Sequence, residues 1–170
     1  MNTSSDITKA LSVLSKTYYK VIKANLTSDT YEVVKVMDSE RAEEQALEKK
    51  NLSYWLTTFA DKGNVYEADV NIFRSRLSPD SLRRYFKDKD RFRLRYRRKT
   101  DNVFRWVFME ILRDENFSED NQNVWFFVQD IHDSYIHEME VQRELEHFCK
   151  YDTLTDFFFS SDAKLRHKVW

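Results

Sequence analysis

The sequence predicts an α+β domain of five strands and a block of short helices. Three observations predict it. Two β-rich runs, residues 17–24 and 30–37, are split by the turn-like Asn25-Leu26-Thr27-Ser28-Asp29. A charged and amphipathic stretch of helical period follows to Phe86. Three long runs of strand period then occupy the chain up to Ile131.

Composition bounds what such a domain does. The chain has 170 residues, of which 41% are hydrophobic and 15% aromatic, enough for a core rich in rings. A net charge of −1 gives no global field for nucleic acid or an acidic membrane. The one cysteine, Cys149, excludes an internal disulfide and fits a reducing compartment. No run approaches the ~20 apolar residues of a spanning helix, and the N-terminus is too polar for a signal peptide. A cytoplasmic protein without membrane partners is expected. A single glycine, Gly63, excludes the glycine-rich phosphate loops.

Taken in order, Ile7, Leu11, Leu14 and Tyr18 share one helical face, which predicts an amphipathic helix over 6–16. The two β-rich runs read as a hairpin. The segment "SERAEEQALEKK" favours a charged helix, and "NLSYWLTTFADKG" places Leu52, Trp55 and Phe59 on one helical face before Gly63 as C-cap. Residues 67–76 form a further short helix. Ser78 is a natural N-cap, with Pro79 at the first helical position and Asp80 complementing the dipole; Leu82, Tyr85 and Phe86 supply the buried face.

The first long strand, "DRFRLRYRRK", sets Phe92, Leu94 and Tyr96 against an arginine face of Arg91, Arg93, Arg95 and Arg97. Such a charged face belongs near a sheet edge. The next two strands are apolar on both faces and belong in the interior. Val107, Met109 and Ile111 oppose Phe104, Trp106 and Phe108; Val124, Phe126 and Val128 oppose Trp125 and Phe127. From His132 to Lys150 the pattern is helical, with Val141, Leu145 and Phe148 in a stripe interrupted near Glu138 and Gln142.

Hairpin, helical block and three-strand meander over residues 17–131 resemble a PAS domain, a common bacterial sensor module. "FRWVFMEILRDE" and "VWFFVQDIHD" look like the last two strands of that family, whose domains often finish in Asp-Ile-Thr; Asp130-Ile131-His132 stands there. The resemblance implies one antiparallel five-stranded sheet with the helical block on one face. It also implies a signalling helix over 132–150 and a homodimer built on the flanking helices. The stretch "YDTLTDFFFS" is similar to the start of a GGDEF domain, the diguanylate cyclase fold, at Asp152, Leu154 and Thr155, while Asp156 replaces the family's glycine. The signature loop and metal carboxylates are absent. Residues 151–170 are therefore expected to be the truncated start of such an output domain, and no enzymatic activity, metal or cofactor is expected. Haem-type members take their iron ligand from the helical block, and residues 38–90 contain no histidine; the reactive cysteine of a flavin photosensor is missing there too.

The apolar face of Phe92, Leu94, Tyr96, Val107, Met109, Ile111, Val124, Phe126 and Val128, with Arg105 and Tyr96 as polar groups, either lines a small-molecule pocket or forms a closed core. Ile7, Leu11, Leu14, Trp106, Phe108, Trp125, Phe127, Val141, Leu145 and Phe148 are the candidate interface residues. Three functions compete: a sensory module signalling to a cyclic-di-GMP output domain, a ligand-free interaction domain, and a nucleic-acid binder using the Arg91–Arg98 strand. Basic residues interleaved with aromatics motivate the third. Strict alternation accounts for the same arginines as the solvated face of a strand, so no nucleic acid is expected.

Overall fold

The computed structural model describes residues 16–45 and 51–165. The helix predicted over 6–16, with Ile7, Leu11 and Leu14, lies outside them but for its last residue.

Strands β1 (Lys20–Asn25) and β2 (Thr30–Lys35) form the expected antiparallel hairpin; the first starts three residues later than the run read from sequence, and the second starts as read and ends two residues earlier. The turn between them is built by side chains suited to it. Asn25 Oδ1 accepts the backbone N–H groups of Thr27 and Ser28 at 3.0 and 2.9 Å. Asp29 takes a left-handed φ of 54°, which Asn and Asp tolerate better than most residues. Asp29 also reaches forward. Its carboxylate accepts from the Ser53 N–H at 2.8 Å and its carbonyl from the Leu52 N–H at 3.0 Å. It thereby satisfies N-terminal donors of a helix whose own N-cap residue, Asn51, makes no side-chain cap.

The helical block comprises α1 (Asp38–Gln45), α2 (Leu52–Asp61), α3 (Glu67–Leu77) and α4 (Pro79–Tyr85). Helix α2 buries Leu52, Trp55, Leu56 and Ala60, one stripe of helical spacing. It ends as expected at Gly63, whose φ of 72° is costly for residues with a side chain. At α4 the Ser78 hydroxyl accepts from the Ser81 N–H at 3.2 Å, and Leu82 and Phe86 are fully buried.

Strands β3 (Arg91–Thr100), β4 (Val103–Arg113) and β5 (Asn123–Asp130) complete one antiparallel sheet of order β2-β1-β5-β4-β3. The arginine-bearing β3 is an edge, and β4 and β5 are interior, as the sequence predicts. The β3–β4 turn is Asp101-Asn102, both at positive φ (48° and 61°), as a two-residue turn matched to strand twist requires. The helical block lies on the inner face of the sheet, where the Phe73 ring meets Tyr96 edge-on with centroids 4.9 Å apart.

The described residues from His132 onward form a second unit. Its helix α5 (His132–Leu165) is 34 residues long and continues past Lys150, where the sequence reading ends the signalling helix. Residues 151–165 contain neither glycine nor proline to end it there. No helix among the described residues is long and apolar enough to cross a membrane.

Candidate functional site

The nine apolar residues expected to line a pocket or fill a core all lie on the inner sheet face, and each is buried. Their neighbours are side chains of the helical block. Tyr96 is packed against Phe73, and Phe92 meets the Tyr85 ring edge-on at 5.1 Å. Burial pushes the Tyr96 hydroxyl far above the ordinary tyrosine range. A cleft of about 150 Å³ between α2, α3 and α4 is lined by Leu56, Phe73 and Leu77 with Ser53, Thr57 and Arg74, none of them a predicted pocket residue. Arg105, near the start of β4 in the alternation of Val107 and Met109, is part-exposed and donates from Nε to Asp130 Oδ2 at 2.7 Å.

The inner face is polar at one end. Lys20 opens β1 in the same alternation as buried Ile22 and Ala24, and Arg98 follows Tyr96 in the alternation of β3. The strands that carry them are separated by β5 and β4, yet both cations reach the carboxylate of Glu40 in α1. Lys20 Nζ is 3.3 Å from Glu40 Oε2, and Arg98 Nη2 donates to Glu40 Oε1. All three residues are buried, at 4%, 9% and 7% exposure for Lys20, Glu40 and Arg98. Arg98 Nη1 donates to the Tyr19 hydroxyl at 2.6 Å. Aromatic faces wall the cations: Lys20 Nζ lies 5.0 Å from the Trp55 centroid, and the Arg98 guanidinium 5.1 and 5.3 Å from those of Tyr19 and Phe59. Arg98 Nε is buried without a hydrogen-bond partner. Burial pushes the Tyr19 hydroxyl up to about 12, so it is a neutral phenol. Burial alone would lower Arg98, but Tyr19 and Glu40 outweigh it and raise it above the ordinary arginine range.

This cluster corrects the reading of the arginine strand. Arg98 is not on the solvated face; Arg91, Arg93, Arg95 and Arg97, on the face opposite Tyr96, are. On that outer face Arg91 and Arg93 share Glu110 at 3.3 and 3.0 Å. Arg97 grips Asp69 through Nε and Nη2 at 2.9 and 2.8 Å, with its guanidinium 3.9 Å from the Tyr66 centroid and 5.0 Å from that of Trp106. That bidentate hydrogen bond holds the Asp69 carboxyl below the usual carboxylate range.

Of the candidate interface residues, Trp106, Phe108, Trp125 and Phe127 lie together on the outer sheet face, each half-buried. Tyr18 packs on Phe127 with ring centroids 5.3 Å apart, and Trp125 Nε1 donates to Asp114 at 2.9 Å. In α5, Val141, Leu145 and Phe148 are exposed, at 42%, 59% and 67%, together with Ile136 and Met139. Cys149 beside them is exposed.

Sequence reasoning missed Tyr19, Lys20 and Glu40 as site residues. For Lys20 a signal existed, since it shares the inward alternation of Ile22 and Ala24. For Glu40 none did, because it stands in a run of charges that reads as a solvated helix.

No family model matches the chain, and no curated protein does. Among solved structures, a sensory box histidine kinase/response regulator from Burkholderia thailandensis E264 superposes with a TM-score of 0.50 at 13% identity, covering 84% of this chain and 98% of that one. The N-terminal domain of a diguanylate cyclase with PAS/PAC sensor from Marinobacter aquaeolei gives a TM-score of 0.44 at 15% identity, covering 68% of this chain and 98% of the other.

Proposed function

We propose that the chain, with its PAS-like five-stranded antiparallel sheet, is a non-catalytic sensory and dimerisation module of a bacterial, cytoplasmic signalling protein. A small molecule or partner shifts the domain, and α5 passes the shift to a cyclic-di-GMP output domain. The observation that supports this best is a covalent one. Helix α5 begins one residue after β5, an interior strand, and the intervening Ile131 N–H is held by the Trp106 carbonyl at 3.0 Å. A change in the sheet therefore has a direct route into the helix. The exposed Val141, Leu145 and Phe148 offer a seam for a second copy, with the outer sheet face as further contact. Asp152, Leu154 and Thr155 give the output its GGDEF-like character.

Sedimentation at tens of micromolar tests the reading. A homodimer is expected, and a monomer would remove the pairing on which it depends. Incubation with GTP and magnesium should yield no cyclic dinucleotide. The alternative, a ligand-free interaction domain, is favoured by the closely packed apolar face. Mass spectrometry of the extracted native protein separates the two, since only a sensor of small molecules carries one. The nucleic-acid reading loses support from the pairing of Arg91, Arg93 and Arg97 with carboxylates.

A further inference from the structure

Glu40 is the described residue by which α1 enters the core; residues 38, 39, 41 and 42 of the same helix are exposed. Its carboxylate meets two cations from strands that are not neighbours, inside walls of Trp55, Phe59 and Tyr19. Replacing a buried ion cluster by apolar side chains is often neutral or stabilising, so fold stability alone does not account for this one. Arg98 Nε stands buried and unpartnered beside the occupied position. We propose that Lys20 and Arg98 form a receptor for a small soluble carboxylate, which the Glu40 side chain occupies in the resting chain and which a free acid takes over, releasing α1. The acid's oxygens meet the ammonium and guanidinium, as those of Glu40 do, and its carbon end meets the rings. Charge-assisted bonds to both cations give it the contacts that Glu40 gives up. Binding and the release of α1 are then one equilibrium, biased by the concentration of acid.

The inference deepens the sensory reading and rests on it for its use, but the two fail separately. A chain that ignores carboxylates while remaining a dimer loses only the receptor. The test uses acetate, because Glu40→Ala removes the heavy atoms of one acetate ion. The Glu40→Ala chain should unfold at a lower temperature than wild type. Sodium acetate should raise that temperature saturably, and sodium chloride of equal ionic strength should not. Equal effects of the two salts overturn the proposal. A second measurement needs no variant that risks misfolding. In the wild-type chain, acetate should speed hydrogen exchange of the amides of residues 38–45 several-fold over chloride, and Lys20→Met should abolish the difference. Exchange indifferent to acetate in the wild type, or equally sensitive in Lys20→Met, also overturns it.

Discussion

Tyr19 and Arg98 lie far apart in sequence, yet the Arg98 Nη1 donates to the Tyr19 hydroxyl at 2.6 Å in a part-buried setting. The bond joins the residue before β1 to the far edge strand β3, so it reports on closure of the whole inner face. Burial dominates the phenol and raises it to about 12. The unfolded chain ionises near pH ~10, so between these values the unfolded state has lost a proton that the folded state keeps. Stability from Tyr19 is complete below pH ~10 and is lost as the pH rises toward 12. Ultraviolet titration should show late-ionising tyrosines, and Tyr19→Phe should flatten part of the alkaline loss of stability. An unchanged alkaline limb in Tyr19→Phe would count against the buried phenol.

The ion cluster predicts a reversal between single and combined substitutions. Arg98→Met alone leaves Glu40 in the interior with half its compensation, a loss on the order of 3–5 kcal/mol. Changing Lys20, Glu40 and Arg98 together to Met, Leu and Met removes every charge at once and should cost less than the single change. Denaturant unfolding of the two chains measures the difference. A triple variant weaker than Arg98→Met would show that the cluster holds the fold rather than merely occupying it.

Asp69 links α3 to the edge strand through Arg97. Because its carboxyl is held low in the folded chain, its contribution is present above pH ~4 and disappears as the pH falls through the lowered value. Asp69→Asn should cost about 1 kcal/mol at neutral pH, since both partners keep some contact with water. The two chains should converge in stability toward pH 2. A gap that persists in acid would assign the loss to packing instead.

On α5, Leu145→Lys and Phe148→Lys together place like charges where the proposed seam runs. The pair should shift sedimentation toward monomer while the sheet signal in circular dichroism is kept. An unshifted dimer would move the contact away from this helix.

What the sequence made legible was local. Period-2 alternation found β3, β4 and β5 and their inward faces. Ser78 and Pro79 marked the start of α4, and Gly63 the end of α2, because caps and turns are written in single residues. The edge position of β3 followed from its arginines. The ion cluster was illegible because each member has an ordinary local explanation. Lys20 looks like a strand-end lysine, Glu40 like one acid among several, and Arg98 like one more arginine of a basic run. Only the order β2-β1-β5-β4-β3 and the placement of α1 bring them to one point. The continuation of α5 past Lys150 was missed for a simpler reason. The resemblance to a cyclase start suggested a boundary there, while the residues themselves contain neither glycine nor proline to make one.

That unbroken helix has a geometric consequence. At 1.5 Å of rise and about 100° of rotation per residue, α5 fixes both how far its last turn stands from its first and in which direction the last turn faces relative to the first. Inserting one residue within it would turn everything beyond by roughly a quarter-circle, and inserting seven would nearly restore the facing while adding about 10 Å. The helix is thus a spacer with a phase, and any element joined to its end is set in azimuth as well as in distance.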